Sequence, residues 1–443
     1  MRPTKFLTMQ HCGILVLTTG ALLLSGCATN GVLSGPGAPT VSAGVPLSGA
    51  VHGGQQPISG TSIQLYAAST GGYGSASFAL LTTAVSTDAA GAFHITGAYT
   101  CPSATSQVYI TATGGNTGSG NNANLAMMAA LGSCGNLSSS TFINMNEVTT
   151  VASVYALAPF MSSYTNVGTS ATNVAGLANA FAAVNKLSNI STGFAPGAAL
   201  PVGATVPVSE LNTMANILAS CINTTGSDGA CKTLFTASTP NAGTAPTETI
   251  GAALNMAKNP SRNVSTLFNL VAAKAPFQPT LTAAPTDWTV SITYSNASFN
   301  APSAAVVDAG GNLWVTNAGG NSVSVLTSAG APLAGSPFTG GGISGPSAVA
   351  IDANGNAWIA DKISSKVSAL NSAGVALAGS PFSGGGLNAP TGIGIDGTGN
   401  IWVTNGGNSS VSELSGSGAA LSGAGGFTGA GISAPVGLAI NPR

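Results

Sequence analysis

The sequence predicts a multidomain, mainly β fold with an N-terminal β-sandwich, a helical middle segment and C-terminal β-propeller-like repeats. Three observations lead to this prediction. Strand-like runs alternate with glycine-rich turns in the first third of the 443 residues, and apolar residues recur at helical spacing in the middle. The last third repeats itself every 44 residues, an interval typical of propeller blades.

The first 27 residues form a predicted export signal. Two basic residues precede an apolar run over residues 13–24, which is too short for a stable transmembrane helix. The run ends in four residues that resemble the lipobox of bacterial lipoproteins: Leu24, Ser25, Gly26 and Cys27. The resemblance implies that Cys27 is acylated and becomes the first mature residue, and that Ala28 directs the protein to the outer membrane or cell surface. An ordinary signal peptide with a chance cysteine is the alternative.

Export makes disulfides the expected state of the remaining cysteines. Residues 28–44, rich in Gly, Ser and Pro, predict a flexible tether. Beyond it the chain holds four cysteines: Cys101, Cys134, Cys221 and Cys231. Proximity within candidate domains favours pairing the first two and the last two, although four cysteines allow three connectivities. Zinc is disfavoured because no pair has the usual ligand spacing, and we predict no metal and no cofactor.

Charge is scarce throughout the chain. Only 5 % of the residues are charged, against roughly a quarter in an ordinary globular protein. No Lys or Arg occurs between Lys5 and Lys186. Because nucleic-acid binding needs a basic stripe, the sequence predicts no nucleic-acid partner.

Residues 45–145 predict the β-sandwich. The stretches SGAVHGGQQPISGTSIQLYAA and STDAAGAFHITG resemble carboxypeptidase regulatory-like and related immunoglobulin-like modules. In the second stretch, Asp88 is expected to cap its own turn and Gly91 to take a positive φ. Phe93 and Ile95 are then expected to face the core.

Residues 146–283 predict a small helical domain or connector. Pro and Gly clusters separate five runs with helical spacing: Thr149–Phe160, Asn173–Leu187, Val208–Cys221, Thr247–Lys258 and Val264–Ala275. Asn146 and Ser209 are expected to be N-caps.

Residues 288–443 contain the repeats. The segments VVDAGGNLWVTN, AIDANGNAWIAD and GIDGTGNIWVTN each predict a strand, a tight turn and a second strand. They resemble NHL-type and virginiamycin B lyase-like propeller repeats. We expect three full blades and one split or partial blade. This last blade is expected to contain a terminal strand at Pro435–Ile440 and to be completed by the upstream segment Trp288–Tyr294. A four-bladed ring closed by both ends removes exposed strand edges, whereas completion by another subunit is the alternative.

The repeats carry two recurring side chains at equivalent positions: Asp308, Asp352 and Asp396, and Trp314, Trp358 and Trp402. The aspartates suggest calcium, but each copy offers one carboxylate where a calcium site needs six or more oxygens, so an Asx-type turn is favoured. The tryptophans are expected to pack between blades rather than to form a carbohydrate-stacking platform.

We expect a non-enzymatic lipoprotein, held to the membrane by its lipid anchor, whose propeller binds an envelope protein or a glycan. No histidine occurs after His94, so the histidine-dependent chemistry that the resemblance to virginiamycin B lyase implies is not expected. The first alternative is an envelope lyase or hydrolase with an unusual set of carboxylates: Asp308, Asp352, Asp361 and Asp396. The second alternative is a structural surface protein that assembles into homo-oligomers.

Overall fold

A computed structural model describes residues 41–227, 229–295, 298–429 and 431–440. The predicted signal, the lipobox with Cys27 and most of the tether lie outside the described residues. Residues from Thr40 onward cluster in a single unit. No helix within the described ranges is long and apolar enough to cross a bilayer.

Two sheets make up most of the N-terminal part. The first has the order β10-β9-β4-β5, with β6 also on β4, and the second has the order β11-β2-β3, with β7 also on β2. The strands are β1 (Ser42–Ala43), β2 (Leu47–Gly53), β3 (Gln56–Pro57), β4 (Ser62–Ala67), β5 (Phe78–Ala79), β6 (Val85–Ser86), β7 (Ala92–Ile95), β8 (Thr100–Cys101), β9 (Gln107–Thr113), β10 (Ala126–Ser133) and β11 (Phe142–Met145). The pair β11–β2 is parallel.

The turn before β7 has the geometry expected from its sequence. Asp88 Oδ1 accepts hydrogen bonds from the amides of Ala90 and Ala92 at 2.8 and 2.9 Å. Gly91 has φ +73°, and a Cβ there would lie 2.5 Å from the carbonyl oxygen of Val51. Only glycine fits this reversal, which turns Phe93 into the core.

Among the described residues, the helical part contains six α-helices and three short strands: α1 (Glu147–Leu157), β12 (Met161–Ser163), β13 (Asn166–Val167), α2 (Val174–Leu187), β14 (Ala204–Thr205), α3 (Val208–Ile222), α4 (Gly229–Ser238), α5 (Thr249–Lys258) and α6 (Val264–Phe268). Asn146 caps α1 through a capping box with Thr149. The other predicted N-cap is wrong: Pro207 stands at the cap of α3, and Ser209 lies inside its first turn. Helix α4 was not predicted, and the last helix ends at Phe268 rather than near residue 275.

Strands and helices share one hydrophobic core. It extends from Leu47 to Trp288, and α1, buried on nearly all sides, lies between β10 and helices α2, α3 and α5. The predicted domain boundary after residue 145 falls between β11 and α1, and the core is continuous across it. The two favoured disulfides are present. One joins Cys101 and Cys134 in the sheets, and the other joins Cys221 of α3 to Cys231 of α4.

The C-terminal part contains three successive antiparallel sheets of three strands, named blades 1 to 3. After β15 (Thr293–Tyr294), blade 1 comprises β16 (Pro302–Val307), β17 (Leu313–Asn317) and β18 (Ser322–Leu326). Blade 2 comprises β19 (Pro346–Ile351), β20 (Ala357–Asp361) and β21 (Lys366–Leu370), and blade 3 comprises β22 (Pro390–Ile395), β23 (Ile401–Asn405) and β24 (Ser410–Leu414). A fourth segment in each blade makes isolated bridges instead of a regular strand, as Val323 does with Phe338.

The predicted pairing of the two ends of the repeat region does not occur in the described residues. Thr293–Tyr294 pairs with β14 of the helical part, and Trp288 is buried in the main core. Residues 435–440 instead lie beside β22, where Thr391 Oγ1 donates to the carbonyl of Pro435 at 2.6 Å. The equivalent bond from Ser347 to Pro390 joins blades 2 and 3. Thr293–Tyr294, which a closed four-bladed ring would have required, therefore pairs with the helical part instead.

Candidate functional site

Each blade turn is built around one aspartate. In blade 1, Asp308 Oδ1 accepts the amide hydrogens of Gly310 and Asn312, both at 2.9 Å. Its Oδ2 accepts Asn312 Nδ2 and Trp314 Nε1, again at 2.9 Å. Gly311 between them has φ +80°. Both oxygens are thus occupied by N–H donors of the same turn.

Blade 2 repeats the arrangement, and blade 3 modifies it. Asp352 accepts the same four classes of hydrogen bond, including one from Trp358 Nε1 at 3.0 Å. Asp396 keeps the bond from Trp402, at 2.8 Å, and gains one from the hydroxyl of Thr398. Here Asn400 turns away and donates to Glu413 Oε1 at 3.0 Å.

These bonds determine the charge state of the turns. Burial alone would raise the pKa of Asp308 and Asp352, but the donors from tryptophan, asparagine and the backbone together lower it. Donation by Trp402 and Thr398 lowers the pKa of Asp396. All three are carboxylates at neutral pH, each stabilised by hydrogen bonds from its own turn. Within the described ranges no three His, Cys, Asp or Glu side chains gather as metal ligands would.

The tryptophans differ in exposure along the array. Trp314 and Trp358 are fully buried and lie against Phe338 and Phe382, with ring centroids 6.3 and 5.3 Å apart. Trp402 is only partly buried, and its partner Phe427 is 45 % exposed. A ring face that could stack on a ligand is therefore offered by the third blade and not by the first two.

A second polar position lies at the far end of the middle strand of each blade. Asn317 donates to Ser322 and Ser324, and Asn405 makes the equivalent bonds in blade 3. Blade 2 has Asp361 there, with Ser368 Oγ donating at 2.5 Å and the amide of Ser344 at 3.1 Å. Burial raises the pKa of Asp361 to about 6.

The carboxylates of the enzymatic alternative do not converge. Asp352 lies in the turn before β20 and Asp361 is the last residue of that strand, so four strand residues, about 13 Å of chain, lie between them. Asp308 and Asp396 each belong to a different blade. Asp308, Asp352 and Asp396 thus lie in three separate turns, and Asp361 lies at the end of a strand with its own hydrogen-bond partners.

Sequence reasoning missed the contact between the helical part and blade 1. Tyr294 lies 44 residues before Phe338, and its ring covers Gly330 as Phe338 covers Gly374 in the next blade. Lys186 of α2, only 6 % exposed, donates from Nζ to Tyr294 Oη at 3.2 Å. Extending the 44-residue interval backwards would have identified the tyrosine, whereas no sequence pattern pointed to the lysine.

The helical part also buries a carboxyl group. Glu147, at the start of α1, is fully buried and accepts the amide of Gly54 with both oxygens at 2.9 Å. Burial raises its pKa to about 8, against the opposing effect of these bonds. The contact joins the β2–β3 hairpin to α1.

No protein-family model and no curated protein matches this chain. Among solved structures, virginiamycin B lyase from Staphylococcus aureus is 19 % identical, with 28 % of this chain and 41 % of that chain covered and a TM-score of 0.25. Hydrazine synthase from Kuenenia stuttgartiensis is 18 % identical, covering 29 % and 37 % with a TM-score of 0.25. A protein of unknown function from Bacteroides caccae is 16 % identical, covering 30 % and 47 % with a TM-score of 0.23. This chain spans less than half the length of these structures, and its similarity to propeller proteins is distant.

Proposed function

We propose that this chain is an exported, lipid-anchored envelope protein that displays its propeller-like blades as a binding surface for an envelope protein or a glycan. The lipobox sequence ending in Cys27 supports the anchor. Two disulfides support an oxidising compartment, where such bonds persist. A resemblance to immunoglobulin-like modules suggests that the first sheets act as a spacer.

One observation supports a binding role: the hydrogen bonds of their own turns already occupy the recurring carboxylates. Asp308, Asp352 and Asp396 each accept hydrogen bonds from neighbours in the turn, so they define the shape of the blade instead of presenting a reactive group. Apart from these aspartates, residues 298–440 contain four charged residues: Asp361, Lys362, Lys366 and Glu413. Such a surface suits neutral, hydrogen-bonding partners whose affinity depends weakly on salt.

Self-assembly is the second candidate, and the end of blade 3 favours it. Leu421 and Phe427 are 52 % and 45 % exposed, while their counterparts Leu333 and Phe338 in blade 1 pack against the core between blades. A second copy of the chain is one surface able to cover them. Sedimentation equilibrium separates the candidates, because a concentration-independent monomer excludes assembly.

The anchor is tested by expressing the full chain in a bacterial host with labelled palmitate. We expect label in the membrane fraction for the unaltered chain and none for Cys27→Ser. Cys12→Ser, which changes the other cysteine of the signal, is the matched control and keeps the label. Equal labelling of all three proteins contradicts lipidation at Cys27.

Binding is tested by co-sedimentation of the purified protein with insoluble peptidoglycan and with outer-membrane vesicles. We expect retention by one of these, with little change between low and high salt. Absence of retention by both, at protein concentrations in the micromolar range, contradicts the binding role.

A further inference from the structure

A small cavity lies where the helical part meets blade 1. Its volume is about 220 Å³, and seven residues line it: Val202, Gly203, Tyr294, Ser295, Leu326, Gly330 and Pro332. The wall is held in place by close contacts. A Cβ on Gly330 would lie 2.3 Å from Tyr294 Cε1, and one on Gly203 would lie 2.7 Å from the carbonyl oxygen of Ser295.

A buried ammonium group stands directly behind this wall. Lys186 Nζ donates to Tyr294 Oη and, at 3.0 Å, to the carbonyl oxygen of Ser328. Both acceptors are neutral, and no Asp or Glu pairs with Lys186 among the residues that the structure describes. Lysine is rarely buried without an anionic partner, because burial removes the hydration of its charge. The site therefore holds an uncompensated positive charge one hydrogen bond away from the cavity.

The wall also presents unused donors. Tyr294 Oη accepts from Lys186, so its own proton is free to point elsewhere, and no described residue accepts it. The hydroxyl of Ser295 is exposed and makes no hydrogen bond to a described residue. None of the described residues that line the cavity is acidic, and Leu326 and Pro332 provide an apolar side.

The tyrosine hydroxyl has no role in blade packing. Phe338 and Phe382 fill the same position in the next two blades without a hydroxyl, covering Gly374 and Gly418 at 2.2 and 2.1 Å from an added Cβ. Packing thus requires the ring only. Among these three equivalent aromatic residues, only Tyr294 borders the cavity, and only Tyr294 combines a hydroxyl group with a neighbouring ammonium group, that of Lys186.

We propose that the cavity binds a small organic carboxylate. One carboxylate oxygen accepts the hydrogen bond of Tyr294 Oη, beside which the Lys186 ammonium lies, and the second lies within reach of the Ser295 hydroxyl. The carbon skeleton packs against Leu326 and Pro332. This site is separate from the blade surface and does not depend on the binding role proposed above.

The experiment is an NMR titration of the purified protein that follows the methyl groups of Leu326. The probes are acetate, benzoate and glucuronate, with benzyl alcohol and glucose as uncharged counterparts and inorganic phosphate as a non-carboxylate anion. Leu414, which occupies the equivalent position in blade 3, is the internal control. We expect saturable shifts at Leu326, and not at Leu414, with at least one carboxylate.

Two variants test the assignment of the donors. Tyr294→Phe should fold normally, because Phe338 and Phe382 cover the equivalent glycines further along the array. It should weaken binding about tenfold, because it removes a charge-assisted hydrogen bond. Lys186→Met should weaken it at least as much, whereas Lys362→Met, at an exposed site, should leave it unchanged. Absence of saturation with every carboxylate overturns the proposal, as do equal responses to the uncharged counterparts, tighter binding of phosphate, or unchanged affinity in Tyr294→Phe.

Discussion

Trp358 donates its indole hydrogen to Asp352 Oδ2 at 3.0 Å, from six residues further along the chain and across a tight turn. The bond couples the conformation of a surface turn to the orientation of a ring that is fully buried between two blades. Each turn of this kind consequently acts on the packing of its own blade against the next.

Asp352→Asn should destabilise the protein more than Asp396→Asn. Asparagine has one acceptor oxygen where aspartate has two, so it can serve either the pair Trp358 Nε1 and Asn356 Nδ2 or the backbone amides of residues 354 and 356, and its NH2 group faces the other pair. Two donors then lose their acceptor beside a buried indole, so we expect a loss of about 1–3 kcal/mol in the free energy of unfolding. Trp402 is partly exposed, so water can replace its lost acceptor in the Asp396 variant. Urea denaturation measures both, and an equal or larger loss for Asp396→Asn contradicts this account.

Asp361→Asn should stabilise the protein at neutral pH. The folded state holds the proton on Asp361 up to about pH 6, whereas the unfolded chain releases it near its ordinary value of 3.8. Stability from this group therefore falls as pH rises between these values and is lowest above pH 6. We expect a gain of about 2 kcal/mol at pH 8 and little change at pH 3.5. Denaturant unfolding at the two pH values measures the difference.

The reciprocal variant is Asn405→Asp, which places a carboxyl group at the same position of blade 3. Its cost should grow from pH 3.5 to pH 8. A pH-independent effect in both variants would show that ionisation of this position does not govern stability.

The two disulfides should differ in their contribution. Cys101–Cys134 closes a separation of 33 residues, and Cys221–Cys231 closes one of 10. Loop entropy predicts losses of about 4 and about 3 kcal/mol when each pair is replaced by alanine. Calorimetric unfolding of the two double variants, under identical conditions, compares them. A larger loss for the shorter loop would indicate that packing at α3 and α4 outweighs loop entropy.

Gly330→Ala should destabilise the protein more than Gly399→Ala, because it disturbs the contact between Tyr294 and blade 1. Both glycines have φ +88°, so both variants carry the cost of a positive φ, about 1 kcal/mol. Only at residue 330 does the new Cβ meet a side chain, the ring of Tyr294. We expect about 1–3 kcal/mol of additional destabilisation from this overlap. Tyr294→Ala should remove that excess in the double variant, and additive effects contradict a direct contact.

The blades were predictable because their information is local. Period, turn residues and strand alternation placed the Asp–Gly–Trp turns at the correct positions, and the cysteine pairs followed from proximity. Pairing of β15 was not predictable in the same way. Thr293–Tyr294 joins Ala204–Thr205, almost 90 residues earlier, and two-residue strands carry no pattern that selects a distant partner.

The helical part shows a similar limit. Ser209 satisfies the composition rule for an N-cap, but the chain already turns into helix α3 at Val208. Lys186 lies in an ordinary amphipathic helix, and its burial arises only because blade 1 packs over the end of α2. Contacts with distant segments determine the burial of Lys186.

Glu413 faces Trp402 across the last hairpin, at the position where Val325 and Ala369 contribute to the cores between earlier blades. Its carboxylate accepts from Asn400 and has no cation beside it among the described residues. Any copy stacked directly on this end would have to strip water from that charge, which costs roughly several kcal/mol. A second copy that covers Leu421 and Phe427 must therefore leave the Glu413 carboxylate in contact with water, which disfavours open-ended filaments built by stacking one array directly on the next.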